Sequence, residues 1–169
     1  MTRALLSLPL VFLLAPAAAA QDMPLTHLLI DGEGWKRYDA PAPRYVGEKP
    51  LTRSSDGGSV YTWEPGERFL FAAPARPNNA GLARAPYAPL RLKVGEKTTT
   101  VTALNRDAEG RIYAATPAGI QVFDPTGRLC GVVAAPGGTV TILEFDGDRL
   151  LARVGDATYG RKLNTSGVK

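Results

Sequence analysis

The sequence has very little of the residues from which nucleophilic and metal sites are most often built. Its 169 residues include one cysteine, Cys130, and one histidine, His27. A single cysteine excludes a disulfide within the chain, and its place in an apolar segment favours a buried free thiol. A single histidine excludes a histidine-rich zinc site, and the apolar residues that follow His27 favour a structural role for it in a strand.

The chain also lacks a strong excess of charge. It has 20 lysines and arginines against 16 acidic residues, a formal net charge of +4, and the basic residues are scattered. Nucleic-acid-binding domains usually concentrate basic residues on one face or along one helix. We therefore expect an ordinary solvated surface and no nucleic-acid partner.

The first twenty residues have the pattern of an export signal. Arg3 precedes an apolar run over residues 4–15, and three alanines at 18–20 supply the small residues of a cleavage site before Gln21. The apolar run is short for a membrane span. We expect residues 1–20 to be a signal peptide and the protein to be exported, to the periplasm or the extracellular space.

Helix-length periodic runs are missing as well, whereas 18 glycines and 14 prolines are present. This composition is typical of an all-β chain with many tight turns. We expect residues 21–50 to form an entry segment and a loop, and residues 51–169 to form one β-propeller-like domain. The proline-rich stretches 42–50 and 72–89 are predicted to be loops.

The clearest pattern lies in residues 101–136. Turn signals at 107–110 (DAEG), 116–119 (TPAG) and 124–127 (DPTG) separate four short strands. Alternation predicts that Ile112 and Ala114, then Ile120 and Val122, point to one face. A four-stranded sheet of this size needs neighbours on its faces, as a propeller blade has.

The unit recurs along the chain. A second copy fills residues 139–163, with Asp146 placed 39 positions after Asp107, close to the repeat of about 40–45 residues expected of blades. An upstream copy begins at the turn 55–58, with strands at 59–63 and 68–71. Because Asp56 and Asp107 are 51 positions apart, we expect a shortened unit between them, with strands from residues 89–102, one of them over Lys97–Val101. The predicted fold is all-β, with about three to four four-stranded blades. Trp63 is predicted to pack between blades, and the turn aspartates Asp56, Asp107, Asp124 and Asp146 to cap their turns.

Several of these segments resemble the senescence marker protein/gluconolactonase/luciferin-regenerating enzyme family of six-bladed propellers. The resemblance is carried by DAEGRIYAA (107–115), AGIQVFDP (118–125) and GRL (127–129). The tail YGRKLN (159–164) is similar to the family's closing strand, and LLIDGEGW (28–35) to the entry segment of exported members. Members are typically lactone hydrolases with one divalent cation held by a Glu, an Asn and an Asp. The resemblance therefore implies a metal-dependent hydrolase of sugar lactones.

The resemblance also supplies candidate site residues. Glu48, in GEKP, matches the family's glutamate. PNNAGL (77–82) offers Asn78 or Asn79 for the asparagine, and we choose Glu48 and Asn79 as ligands of a divalent cation (Ca²⁺, Mg²⁺, Mn²⁺ or Zn²⁺). Alternatively, Arg76 and Asn78 match a substrate-facing Arg-x-Asn. Where the family has Asp-Gly, this chain has Thr102-Ala103, and a neutral hydroxyl cannot replace a carboxylate, so the catalytic residue is unknown.

Two functional classes follow. The first is an exported, metal-dependent lactone hydrolase. The second is a non-catalytic propeller-like protein that binds a partner or a carbohydrate. Six blades need about 240–270 residues, so we expect only a partial propeller. Its ends could close by pairing with a second copy as a homodimer or as a distorted small ring, or the chain could be a poorly stable remnant, and we favour the homodimer.

Overall fold

The computed structural model describes residues 24–39, 51–75 and 83–168, and strands make up most of them. Leu25–His27 form one 3₁₀ turn. The twelve strands are β1 Lys36–Arg37, β2 Leu51–Arg53, β3 Ser59–Thr62, β4 Phe69–Pro74, β5 Ala85–Pro89, β6 Ala103–Arg106, β7 Ile112–Thr116, β8 Gly119–Phe123, β9 Leu129–Val133, β10 Val140–Asp146, β11 Arg149–Val154 and β12 Ala157–Lys162. Within these ranges, no helix is long and apolar enough to cross a membrane.

The strands form three four-stranded antiparallel sheets. Sheet A has the order β2-β3-β4-β5, sheet B the order β6-β7-β8-β9, and sheet C the order β1-β12-β11-β10. Strand β6 contacts both β2 and β10, so one edge strand of each sheet lies beside that of the next sheet. The sheets therefore stack as blades around a common axis. This arrangement confirms the predicted all-β fold of a partial propeller.

Sheet B lies between the other two sheets, and both of its faces are apolar. Ile112, Ala114 and Phe123 pack with Leu70 and Ala88 of sheet A, while a second set of side chains packs with sheet C: Tyr113, Ala115, Ile120 and Val122. Most of these side chains are fully buried, and each large one contributes about 1.5–3 kcal/mol to stability.

The prediction that Ile112 and Ala114 share a face with Ile120 and Val122 was therefore wrong. Thr116 pairs with Gly119 across a two-residue turn, which sets Ile112 opposite Phe123 and Ala115 opposite Ile120. Directly paired residues lie on the same face of a sheet, so even-numbered residues of β7 share a face with odd-numbered residues of β8.

Sheet C is completed from the N-terminal side of the chain. Lys36 pairs with Gly160 and Arg37 with Tyr159, and Leu29 forms a bridge to Leu163. The entry segment was expected to place His27 in a strand. Instead, the amide of His27 donates to the Pro24 carbonyl at 3.0 Å in the 3₁₀ turn, and its side chain is exposed.

Residues 90–102 form no strand, so the predicted shortened unit and the predicted strand at Lys97–Val101 were wrong. These residues connect β5 to β6, and they account for the long interval between Asp56 and Asp107. Gly95 turns the chain with a φ of +87°, and Val94 is fully exposed. Threonine-rich sequence has a high strand propensity, but this segment has no neighbouring strand with which to pair.

The stretch 72–89 also departs from its prediction as a loop. Strand β4 continues to Pro74, and Ala85–Pro89 form β5. Proline is tolerated in β5 because this strand lies at the edge of sheet A, where part of the backbone needs no partner. The stretch 42–50 lies outside the described residues.

Three of the four turn aspartates cap their turns as predicted. Oδ1 of Asp107 accepts from the amides of Glu109 and Arg111, and Asp124 repeats the pattern with Thr126 and Arg128. Asp56 accepts from the Gly58 amide at 2.9 Å. Asp146 instead accepts from the Tyr38 hydroxyl.

Two further side chains bear on the sequence predictions. Trp63 is 7% exposed and packs between sheets A and B, which confirms the prediction for this residue. Cys130 has a free thiol, as expected, but it is only half-buried, and burial raises the pKa of that thiol.

Candidate functional site

A cleft of about 470 Å³ opens at one end of sheets B and C. We call this the upper end, because it carries the β7–β8 turn and the loops that lead into β6 and β10. Three segments line the cleft: Lys93 and Thr102 from the loop before β6, Thr116–Gly119 from the β7–β8 turn, and Ala134, Ala135, Gly137, Gly138 and Thr139 from the loop before β10. Among these lining residues there is neither a carboxylate nor an aromatic ring.

Thr102 lies where the family resemblance would place a metal-binding carboxylate. Its amide donates to the Ala115 carbonyl at 3.0 Å, and its hydroxyl donates to the carbonyl of Val140 in β10. A hydroxyl has a single hydrogen, which is used in this contact. Thr102 therefore joins sheets B and C at the upper end and presents only a neutral oxygen to the cleft.

The hydroxyl of Thr116 is also occupied. It donates to the Gly119 carbonyl at 2.8 Å and accepts from the Ala118 amide at 3.2 Å and from Nε2 of Gln121 at 3.0 Å. These bonds hold the β7–β8 turn in place. Thr116 thus shapes the wall of the cleft and has no hydrogen left for a ligand.

Four further groups of the lining can donate a hydrogen bond and have no partner among the described residues. They are the exposed ammonium of Lys93, the amides of Gly137 and Gly138, and the hydroxyl of Thr139. Gly137 and Gly138 have φ values of +99° and +81°, a region that favours glycine. On the same loop, the Ala134 carbonyl is occupied by Nε1 of Trp35 at 2.6 Å. The cleft is therefore rich in donors.

The loop that carries Lys93 is held at its base by a buried amide. Gln121 is fully buried; its Oε1 accepts from the Arg91 amide at 2.7 Å, and its Nε2 donates to the Arg91 carbonyl at 2.8 Å. The side chain thus gives Arg91 the two hydrogen bonds that a neighbouring strand would give. This contact positions the loop without making it part of a sheet.

A smaller cavity of about 220 Å³ lies where β2, β6 and β10, one strand from each sheet, come together. Its lining includes one cation and one carboxylate, Arg106 from β6 and Glu144 from β10, and also Thr52, Asn105, Phe145 and Val168. Nδ2 of Asn105 is already bonded to the Leu143 carbonyl at 2.8 Å. In the described part of the chain, no group of three or more His, Cys, Asp or Glu side chains could hold a metal ion.

A buried charged network lies at the opposite, lower end of sheet B. Oδ2 of Asp107 accepts from Nε of Arg111 at 2.6 Å, from the Tyr113 hydroxyl at 3.0 Å and from Oγ1 of Thr165 at 3.2 Å. Burial raises the pKa of the Tyr113 hydroxyl. The Ala108 amide also donates to Ser166 at 2.8 Å. The network fastens residues 165–167 to sheet B, and its carboxylate and hydroxyl groups are engaged with one another.

The predicted site residues Glu48, Arg76, Asn78 and Asn79 all lie outside the described residues. Their roles as ligands of a cation and of a substrate therefore stay predictions. Thr102 does line the upper cleft. Sequence reasoning missed Lys93, Gly137, Gly138 and Thr139. The one available signal was the pair of glycines between two predicted strands, which marks a loop with free backbone donors.

No family sequence model and no curated protein matches the chain. Solved structures that resemble it include the following three. A gluconolactonase from Xanthomonas campestris shares 25% sequence identity with a TM-score of 0.54, over 68% of this chain and 37% of its own. A luciferin-regenerating enzyme shares 18% with a TM-score of 0.58, over 71% and 46%. A calcium-binding protein, regucalcin, from Agrobacterium tumefaciens shares 21% with a TM-score of 0.57, over 71% and 47%.

The chain therefore spans less than half the length of each of these structures. The shared fold agrees with the three stacked sheets described above and with the resemblance predicted from residues 107–129.

Proposed function

Because its structural neighbours are proteins of the senescence marker protein/gluconolactonase/luciferin-regenerating enzyme family, we propose that this protein binds a sugar lactone, or the hydroxy acid that such a lactone yields on hydrolysis. The proposed site is the upper cleft between sheets B and C. The observation that carries the proposal is the set of free donors from Lys93, Gly137, Gly138 and Thr139. Sugars and sugar acids are rich in acceptor oxygens, which such donors can bind.

The described residues of this cleft do not fit a divalent cation. Hard cations such as Ca²⁺ and Mg²⁺ are held by carboxylate and carbonyl oxygens. None of the described side chains that line the cleft is a carboxylate, the hydroxyl of Thr102 already bonds Val140, and the one charged side chain, Lys93, would repel a cation. The proposal is accordingly a binding protein that does not require hydrolysis.

A second candidate is metal-dependent hydrolysis of a sugar lactone, and the likeness to a gluconolactonase at 25% identity favours it. On this proposal Glu48 and Asn79 would hold the cation outside the described residues. A bound divalent cation would polarise the lactone carbonyl. This candidate therefore depends on residues other than the described lining of the cleft.

One set of experiments separates the two candidates. Calorimetry would titrate the purified protein with gluconate and with 1,5-anhydroglucitol, a ring analogue that cannot hydrolyse. Binding of at least one ligand is expected, and Ala118→Trp should abolish it by filling the cleft. Ala108→Trp, on the exposed lower turn of sheet B, is the matched control and should bind as the wild type does.

Hydrolysis of glucono-δ-lactone would be followed with Ca²⁺, Mn²⁺ and Zn²⁺ in turn. The binding proposal expects the spontaneous rate. A tenfold acceleration that falls at least tenfold in Glu48→Gln would establish the second candidate instead. If neither ligand binds and no cation accelerates hydrolysis, both candidates are wrong.

Export and dimer formation are carried forward as further proposals. Residues 1–20 support export, and fractionation of cells that produce the full chain tests it: an uncleaved protein in the cytoplasm would contradict it. Light scattering of the purified protein tests the homodimer, which a monomeric mass would exclude.

A further inference from the structure

We infer that the upper cleft selects an anion: it recognises the carboxylate of an open-chain hydroxy acid in preference to the neutral lactone ring. This inference rests on the proposed function, because it names which form of the ligand the same cleft retains.

Four groups of the cleft can donate a hydrogen bond, and its described lining contains no carboxylate that would oppose a negative charge. The ammonium of Lys93 has three hydrogens, Gly137 and Gly138 each offer an amide, and Thr139 offers a hydroxyl. A carboxylate is the ligand group that only accepts, through two oxygens with about four lone pairs. Hydrogen bonds to such a charged acceptor are about twice as strong as those between neutral groups.

The charge of the cleft also favours an anionic ligand. Lys93 is the one charged side chain in the described lining, and it forms no ion pair with a described residue. Glu96, which follows Lys93 in the same tight turn, lines an adjoining cavity of about 350 Å³ together with Lys97. A ligand carboxylate in the cleft therefore meets one cation and no competing carboxylate from its walls.

The cleft offers fewer favourable contacts to a closed sugar ring than to an open chain. Binding pockets that hold rings usually present aromatic or flat apolar surface to them. The described lining contains no aromatic side chain. Trp35 lies nearby, but it packs on the core shared by sheets B and C, and its Nε1 is bonded to the Ala134 carbonyl. The cleft thus offers hydrogen-bond donors to an extended chain of hydroxyls more readily than a stacking surface to a ring.

Parts of the two loops that carry the donors are held in place before a ligand arrives. Gln121 fixes the base of the loop that carries Lys93 through two bonds to Arg91. A Cβ atom on Gly138 would lie 2.8 Å from Cγ1 of Val154, so the loop before β10 packs closely on sheet C at this point. Groups ordered in advance lose less conformational entropy on binding.

The test is calorimetry at low ionic strength with three probes: gluconate, sorbitol as the neutral open-chain analogue, and 1,5-anhydroglucitol as the neutral ring. Gluconate is expected to bind at least tenfold more tightly than either neutral probe. Lys93→Gln should weaken gluconate binding at least tenfold and weaken binding of the neutral probes much less, because glutamine keeps a donor and loses the charge. Added salt should weaken gluconate binding to the wild type much more than to Lys93→Gln, because salt screens the charge.

Lys97→Gln is the matched control, since Lys97 is on the same loop but lines the adjoining cavity. It should retain the gluconate affinity of the wild type, and Lys93→Arg should recover most of it. Equal binding of all three probes, or an equal loss in the two glutamine variants, would overturn the inference while the proposed function stands. If no probe binds, the proposed function fails and the inference fails with it.

Discussion

The buried carboxylate of Asp107 offers a sharp test of what stabilises this stack of sheets. Asp107→Asn keeps the shape of the side chain and removes its charge. In the wild type, Oδ2 of Asp107 accepts hydrogen bonds from Arg111, Tyr113 and Thr165. If an amide NH₂ replaces this oxygen, the hydroxyls of Tyr113 and Thr165 can turn and accept from it. Nε of Arg111 cannot accept, because a guanidinium only donates.

The magnitude follows from the burial of Arg111. Its side chain is 2% exposed, and in the variant it would keep one carboxylate partner, Glu109, which is itself 57% exposed. Nη2 of Arg111 already has no partner among the described residues. Removing one partner of a buried ion pair typically costs about 3–5 kcal/mol. We expect a loss of that size in the free energy of unfolding.

The chain provides its own control, because Asp124 and Arg128 repeat the Asp-x-x-Gly-Arg pattern in the same sheet. There the arginine side chain is 47% exposed, and water can replace the lost contact. Asp124→Asn should therefore cost about 1 kcal/mol, in the range of exposed pairs and single hydrogen bonds.

Both variants would be unfolded in urea, with tryptophan fluorescence as the signal and linear extrapolation to water. Trp63 lies between sheets A and B, so it reports loss of the packed stack. The reasoning fails if the two variants lose stability to within about 1 kcal/mol of each other, since burial would then not decide the cost.

Three further predictions follow from single contacts. Thr102→Val leaves the Val140 carbonyl without its donor and should lower the free energy of unfolding, measured in urea, by about 1–3 kcal/mol. Thr102→Ser keeps the hydroxyl and should lower it much less. Equal decreases in the two variants would contradict the assigned hydrogen bond. Gln121→Met removes both bonds to Arg91, so trypsin should cleave after Lys93 and Lys97 faster than in the wild type, which mass spectrometry of the fragments detects; unchanged cleavage would show that the loop is held by other contacts. Burial of Asp124 would raise the pKa of its carboxyl, but hydrogen bonds from Thr126 and Arg128 outweigh it and the pKa is lowered. A carboxyl whose pKa is lowered on folding stabilises the folded state at pH values above its unfolded pKa of about 3.9, and this contribution is lost once the pH falls below its folded pKa. The difference in the free energy of unfolding between wild type and Asp124→Asn should therefore narrow as the pH falls below about 4. A difference that is constant from pH 7 to pH 2.5 would contradict this prediction.

Sheet B could be predicted from the sequence because its information is local. Each turn carries its own residues, such as Asp124, Pro125 and Gly127, and the strands between them are too short to be helices. The same reasoning placed β3, β4 and β10–β12. It did not find β5, which pairs with its chain neighbour β4 but whose proline-rich sequence was predicted to be a loop.

Contacts between distant segments could not be predicted in this way. Strand β1 is two residues long and pairs with a strand more than 120 residues later, so the local sequence Lys36–Arg37 does not predict this pairing. The fully buried Gln121 takes the place of a strand for Arg91, and an alternating segment gives no sign of that role. The threonine-rich segment Lys97–Val101 was wrongly predicted to be a strand for the same reason. Strand propensity is a property of the local sequence, whereas the presence of a pairing strand depends on distant parts of the chain.

The site shows the same division. The resemblance identified Thr102 as the position where a carboxylate is replaced, and the structure adds that its hydroxyl joins β6 to β10. Lys93 and the Gly137–Gly138 pair are separated by more than forty residues and line one cleft only because sheets B and C are adjacent. A sequence motif could not have linked them.

The character of the cleft bears directly on whether it could accelerate hydrolysis. Catalysis requires that the transition state be bound more tightly than the ground state. On the proposed preference for an anion, a cleft whose one charged side chain in the described lining is Lys93 would bind the anionic product of lactone hydrolysis better than the neutral substrate. Product release would then limit turnover. The same property suits a protein that retains sugar acids, and it makes the affinity for a hydroxy-acid anion, rather than a rate of hydrolysis, the quantity by which this cleft should be judged.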